Sequence, residues 1–253
     1  MKRILIILLF IIANCNTFAQ SNTATTSSLV AENAYKKQDY QSAINTYETM
    51  LTNGESSAFL HYNLGNAYFK NGDLAKAILN YEKAALLSPN DTDIQHNLDF
   101  AYKNQPDNIE HLAPGLLPRL FQKLYRMFAV DTWAVFGIIF LLLFCGAICI
   151  FLFSQQITQR RIALITLICS LLLGGISAAC AQSRHSELTS HEYAIVINPT
   201  TSIKTEPIIT ATDLATIHGG IKVKIVNEAF GWFKVLLGNG KEGWILAEDI
   251  ERI

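Results

Sequence analysis

The sequence predicts a multi-domain membrane protein that combines an α-helical repeat solenoid, a two-helix transmembrane hairpin and a small all-β barrel. Three observations predict this fold class. Residues 24–104 repeat with a period of 34 residues, two uncharged apolar runs follow in close succession, and the last 61 residues alternate between apolar and polar side chains. Each pattern has a different period, so each predicts a different kind of element.

The N-terminus is typical of a secretory signal peptide, which we place at residues 1–19. A basic start precedes an apolar run at residues 4–12, which is too short to span a bilayer, and small residues precede a cleavage point after Ala19. Lipidation of Cys15 is the alternative, but Asn14 is unusual directly before a lipidated cysteine. Cleavage would export the segment that follows.

The repeat lies directly after this signal. Three residues recur at the 34-residue interval that is typical of tetratricopeptide repeats (TPR). The recurring pairs are Asp39 and Asp73, Ala43 and Ala77, and Tyr47 and Tyr81. The second copy resembles a nearly complete TPR, with Leu64, Gly65, Tyr68 and Pro89 at the spacing of the family and His61 where the motif prefers Trp.

The other two copies are less complete. The first, residues 24–51, has Ala31 in place of the glycine, and the third, residues 92–104, keeps Leu98 and Tyr102 but has only one helix. Two repeats and a capping helix are close to the minimum for a stacked core.

The TPR resemblance implies that peptides bind to the face made by the first helix of each repeat. Asn66 matches the asparagine that holds a terminal carboxylate in some TPR proteins, although the basic residues that accompany it there are incomplete here. The alternative is that these side chains are ordinary solvated residues. The candidate peptide-binding residues are Tyr35, Phe59, Tyr62, Asn63, Asn66, Phe69, Lys70 and Asn97.

The linker at residues 105–130 contains a predicted amphipathic pre-membrane helix at residues 116–128. One side of this helix is apolar, and Arg119, Lys123 and Arg126 lie elsewhere on it. The hairpin loop also carries two arginines, so the positive-inside rule tests the orientation only weakly.

The apolar runs predict two transmembrane helices at residues 133–153 and 162–181. Each run has about 20 uncharged residues, which is enough to cross a bilayer as a helix. The loop of residues 154–161 is short, so the segments before and after the hairpin must lie on the same side. With an exported N-terminus, the prediction is a multi-pass protein of the bacterial inner membrane with its N- and C-terminal modules in the periplasm.

The C-terminal segment, residues 193–253, has short alternating runs and an Asn239-Gly240 hairpin signal. Its Gly231-Trp232 and Gly243-Trp244 segments resemble a bacterial SH3 domain, which implies a small antiparallel SH3-like barrel. Tyr193 and Trp232 are its candidate ligand-binding residues, whereas Trp244 is expected in the core.

Composition and motifs argue against enzymatic chemistry. The net charge is −1 and only 16% of residues are charged, which disfavours a nucleic-acid partner. The sequence has no glycine-rich phosphate loop and no nucleophile elbow, so we predict no catalytic residue, cofactor or metal site. One alternative remains in the spans, an intramembrane thiol relay. Packing is the preferred explanation of those thiols, because thiols in apolar surroundings are inert. They are Cys145, Cys149, Cys169 and Cys180.

Taken together, the signal, repeat, membrane hairpin and C-terminal barrel resemble the BatE family of the Bacteroides aerotolerance (Bat) operon over the whole chain. That resemblance implies an inner-membrane adaptor linked to oxidative-stress tolerance and envelope integrity, encoded with von Willebrand factor A-domain proteins. The expected partners are therefore membrane or periplasmic proteins and membrane lipid. The alternative function is a cell-wall sensor whose barrel binds peptidoglycan.

Overall fold

A computed structural model describes residues 27–107 and 115–253 of the chain. The predicted signal peptide, Cys15 and the middle of the linker lie outside the described residues. The chain divides into two compact units, one formed by Met1–His111 together with Glu192–Ile253 and the other by Leu112–His191. The first unit therefore combines the helical repeat with the C-terminal sheet.

The helical part of the first unit follows the 34-residue repeat closely. Asp39 and Asp73 occupy equivalent positions, and each accepts a hydrogen bond at its Oδ1 from a backbone N–H three residues further on, which caps the following helix. The helices are α1 (residues 27–36), α2 (Tyr40–Thr52), α3 (Ala58–Lys70), α4 (Leu74–Leu87) and α5 (Thr92–Lys103).

Close helix contact explains the small residue at the centre of the second copy. A Cβ atom placed on Gly65 would lie 2.7 Å from Cδ1 of Tyr81, which is shorter than any ordinary contact. Ala77 is fully buried nearby. The absence of a side chain at position 65 thus lets α3 and α4 pack closely around the tyrosine ring.

The second unit contains the apolar helices. Two of them, α7 and α8, are long and apolar enough to cross a membrane, which by itself is weak evidence that they do. The predicted run 133–153 lies within α7, and the predicted run 162–181 lies within α8. The helices are α6 (Leu116–Tyr125), α7 (Val130–Phe153) and α8 (Ile157–Thr189).

Small side chains lie where α7 and α8 meet. Ala147 of α7 and Ala163, Ser170 and Ser177 of α8 are buried, whereas most of the large apolar residues of both helices are exposed. Ser177 Oγ donates a hydrogen bond of 2.5 Å to the backbone carbonyl of Trp133. Contacts between small residues of this kind are typical of helices that associate within a bilayer.

The C-terminal segment forms one antiparallel sheet with strand order β3-β2-β6-β5-β4-β1-β7. Strands β3 and β7 form its two edges, and no pairing joins them in the described part of the chain. The predicted small barrel is therefore an open sheet. The strands are β1 (Tyr193–Val196), β2 (Thr200–Lys204), β3 (Asp213–His218), β4 (Lys222–Ala229), β5 (Trp232–Leu237), β6 (Glu242–Leu246) and β7 (Ile250–Arg252).

Strand β1 lies between two hydrophobic cores. Ala194 and Val196 belong to the core of the sheet, whereas Ile195, between them, is fully buried in the core of the helical repeat. Successive side chains of a strand point to opposite faces, so one strand serves both cores. This explains why three consecutive residues of β1 are buried.

Polar contacts surround this junction between the sheet and the repeat. Lys222 donates to Glu82 at 2.7 Å, and Lys83 donates to Glu251 at 2.7 Å. His218 donates its backbone N–H to Asp107, whose second oxygen contacts the His218 ring at 2.9 Å. The helical repeat and the sheet therefore form a single folded body.

Candidate functional site

All six predicted residues of α3 lie on one side of the helix. At 100° per residue, they fall within an arc of about 120° that faces away from the buried residues of α3. Phe59 and Lys70 are exposed, and the other four are half-buried. The six are Phe59, Tyr62, Asn63, Asn66, Phe69 and Lys70.

A hydrogen-bonded network joins α3 and α5 across this surface. Asn97 Nδ2 donates to Tyr62 Oη at 3.0 Å and to Asn66 Oδ1 at 2.9 Å. Tyr81, on α4, donates its hydroxyl to the same Asn66 oxygen at 2.7 Å. Burial is the largest factor that raises the pKa of Tyr81 above its usual 10, so the phenol stays protonated and acts as the donor.

This network fixes the orientation of both amides. Because Asn66 Oδ1 accepts two hydrogen bonds, its NH₂ group is left with two donors that bond to none of the described residues. Asn97, by contrast, donates both of these hydrogen bonds from its NH₂ group, so its Oδ1 remains an available acceptor. The surface therefore presents an amide NH₂ group and an amide oxygen side by side, which can pair with the C=O and N–H groups of a peptide backbone.

Asn63, the equivalent of Asn97 in the preceding repeat, lacks among the described residues the hydrogen bonds that Asn97 forms. Its Nδ2 atom is buried and has no hydrogen-bond partner within the described residues. Asn63 precedes Asn97 by one repeat, so its equivalent partners would be Ser28 and Glu32 of α1. Those two side chains instead bond to each other at 3.3 Å. A buried donor without a partner costs about 1–3 kcal/mol.

Aromatic side chains flank the amide pair. The rings of Phe69 and Phe100 lie 5.6 Å apart, and Phe59 and Phe100 are each at least half exposed. Tyr35, on α1, contacts the ring of Tyr40 at 5.4 Å. We call the surface formed by Phe59, Tyr62, Asn66, Phe69, Asn97 and Phe100 the α3/α5 face. It combines apolar contact area with fixed polar groups, as ligand sites commonly do.

Two members of this arrangement were missed in the sequence. Phe100 follows Asn66 by one 34-residue interval, so the repeat could have indicated that it belongs to the same surface. Tyr81 is a packing position of the TPR motif, and nothing in the sequence shows that its hydroxyl reaches α3. Only the crossing of α3 and α4 brings that hydroxyl to Asn66.

Of the two candidate ligand-binding residues of the sheet, one lies beside two lysines and the other is buried. Tyr193 is 45% exposed, but the Nζ atoms of Lys222 and Lys224 lie 5.0 and 6.0 Å from its ring centre. Trp232 is only 6% exposed. The expectation for Trp244 is wrong: it is half-buried, because its neighbours Gly243 and Ile245 occupy the core-facing positions of β6.

The remaining candidates for chemistry are few. No group of three or more metal-ligating side chains occurs in residues 27–107 and 115–253. The four cysteines of α7 and α8 are free thiols, with Cys180 buried and the other three exposed on the apolar helices.

Comparison with known proteins finds a family match for part of the helical repeat. The tetratricopeptide repeat family matches residues 58–91, which comprise α3, α4 and the turn after them. A search of the curated proteins finds no match. The chain thus contains a TPR repeat, and the TPR repeat suggests a role in protein interaction.

Proposed function

We propose that this protein is a non-enzymatic, membrane-anchored adaptor that binds an extended segment of a partner protein on the α3/α5 face. The observation that carries the proposal is the pair of amides, Asn66 and Asn97, which the network holds so that a donor and an acceptor face outwards. Such prearranged polar groups bind a peptide backbone with little further ordering cost.

Chain topology supports membrane anchoring through an even number of crossings. Ile195 follows the two apolar helices in the chain, yet it is buried in the core of helices that precede them. The two ends of the apolar segment therefore return to one folded body, which must lie on one side of any membrane. A hairpin formed by α7 and α8 meets this requirement.

The resemblance to the BatE family supports a more specific form of the proposal. In that form the protein sits in the bacterial inner membrane, its repeat and sheet lie in the periplasm, and its partner is a von Willebrand factor A-domain protein of the same operon. Its role would then be in a Bat-type complex that supports oxidative-stress tolerance and envelope integrity.

Photo-crosslinking in cells tests the adaptor proposal. Phe59 is replaced by benzoylphenylalanine in the full-length protein, and Phe230, an exposed aromatic residue in the turn between β4 and β5, receives the same replacement as a control. We expect a crosslinked partner at position 59 that mass spectrometry identifies as a protein with a von Willebrand A domain. Asn66→Ala should abolish the adduct.

Two results would count against parts of the proposal. Equal crosslinking at positions 59 and 230, unaffected by Asn66→Ala, would show that the α3/α5 face is not the binding site. Protease treatment of spheroplasts tests the location separately, with tags in the 53–55 turn and after Ile253. Protection of both tags would place both modules in the cytoplasm.

A further inference from the structure

Helix α6 is an amphipathic helix whose apolar side is exposed. The exposed fractions of its five large apolar residues range from 37% to 78%. At 100° per residue these side chains occupy an arc of about 140°. They are Leu116, Leu117, Leu120, Phe121 and Leu124.

The basic residues of this segment lie along one edge of the apolar side. Arg119, Lys123 and Arg126 fall within an arc of about 60° next to the apolar arc. Arg119 and Lys123 form no ion pair within the described residues, and both are exposed. A helix with this division of side chains lies in the interface of a bilayer, with its long basic side chains extending to the phosphate level.

Helix α6 is attached to α7 and α8 at its C-terminal end. Arg126 Nε donates to Glu187 of α8 at 2.7 Å, and Glu187 also pairs with Arg184 at 2.5 Å. Trp133 of α7 donates its indole N–H to the carbonyl of Tyr125 at 3.0 Å. Glu187 thus already has two cationic partners, so it does not compensate Arg119 or Lys123.

We propose that the basic edge formed by Arg119 and Lys123 binds the headgroups of anionic phospholipids. This inference deepens the proposed membrane anchoring and rests on it. The positive charge of the basic edge favours an anionic lipid over a neutral one. The exposed side of α6 is apolar, like the exposed surfaces of α7 and α8, and this favours a bilayer over a soluble anion as the ligand. The lipid would hold α6 in the plane of the membrane surface.

Native mass spectrometry of the full-length protein tests this inference. The protein is released from nanodiscs that contain equal amounts of phosphatidylglycerol and phosphatidylcholine, and the lipids retained on it are counted. One basic residue near an anionic surface changes affinity about fivefold. Two such residues together change it about 25-fold. We therefore expect a preference for phosphatidylglycerol of at least that size, which Arg119→Gln/Lys123→Gln reduces by about 25-fold.

Two control variants make the result specific. Arg119→Lys/Lys123→Arg keeps both charges and should keep the preference. Arg160→Gln/Arg161→Gln removes two exposed arginines from the start of α8, outside α6, and should reduce the preference less. An unchanged preference in the Arg119→Gln/Lys123→Gln protein, or an equal loss in the Arg160/Arg161 variant, would overturn the inference.

Membrane attachment is measured independently, by extraction of cell membranes with alkaline carbonate. Release of the wild-type protein into the soluble fraction would contradict the proposed anchoring itself. Retention in the membrane without a phosphatidylglycerol preference would overturn only the lipid inference.

Discussion

Tyr102 on α5 donates a hydrogen bond to Glu82 on α4, and this contact repeats one that lies 34 residues earlier, from Tyr68 on α3 to Glu48 on α2. Burial is the largest cause, and the nearby Glu82 carboxylate the second, that raises the pKa of Tyr102 well above its usual 10. The phenol therefore remains a donor. The contact therefore joins each helix pair to the next helix of the stack.

Removal of this hydroxyl should loosen the end of the repeat. A hydrogen bond to a charged group contributes about 1.5–3 kcal/mol, so Tyr102→Phe should lower the local unfolding free energy by that amount. Hydrogen–deuterium exchange in nanodiscs would show faster exchange in α5. Tyr47→Phe serves as the control, because its side chain also packs in the core of the repeat but, among the described residues, its hydroxyl forms no hydrogen bond to a carboxylate. Equal effects of the two substitutions would contradict the prediction.

The turn between α1 and α2 offers a stabilising substitution. Gln38 has φ +64°, whereas Gly72, one repeat later, has φ +88° at the equivalent position. A residue with a Cβ atom in this region is strained by about 1 kcal/mol, although glycine loses more chain entropy on folding. Gln38→Gly should therefore stabilise α1 and α2 by about 0.5 kcal/mol, measured as slower amide exchange.

The reverse substitution provides the matched test. By the same balance, Gly72→Gln should destabilise the α3–α4 pair by about 0.5 kcal/mol, although no described neighbour lies within 4 Å of its added Cβ. If Gln38→Gly accelerated exchange in α1 and α2, strain at this turn would not be the deciding factor.

His61 predicts a pH dependence of the repeat. Its Nδ1 lies 3.1 Å from Asn80 Oδ1, and burial is the largest factor that lowers its pKa below 6.5. The unfolded chain therefore binds more protons than the folded one near this pH, so the unfolding free energy rises with pH. Stability should be lost as the pH falls through 6.5.

Amide exchange in α3 and α4 at pH 7.5 and 5.5, corrected for the intrinsic exchange rate, measures this effect. His61→Gln retains an amide donor for Asn80 but does not titrate, so its stability should change less between the two pH values. A wild-type repeat that is more stable at pH 5.5 would refute the assignment.

Ile195 should couple the stability of the sheet to that of the repeat. Ile195→Ala removes a fully buried side chain from the helical core, which typically costs about 2–5 kcal/mol. We expect faster exchange in both α4 and β1. Ile209→Ala, at a residue that is 78% exposed, should affect neither. An effect confined to β1 would mean that the two parts are stabilised separately.

Local periodicity made several parts of this protein predictable. The 34-residue repeat, the apolar runs and the alternation after Tyr193 each reflect short-range geometry, and the structure has helices and strands in those regions. The repeat also brought Asn63 and Asn97, which are one 34-residue interval apart, into one list of candidates, since equivalent helix positions face the same way.

Tertiary structure decided which surfaces those elements cover. Alternation showed that the side chains of β1 point both ways, but not that the helical repeat would bury Ile195 while the sheet buries Ala194 and Val196. Similarly, the sequence pattern did not show that Trp244 is only half-buried or that the Tyr81 hydroxyl reaches Asn66. Periodicity fixes the direction of a side chain relative to its own element, whereas the neighbour that it meets depends on contacts between residues far apart in the chain.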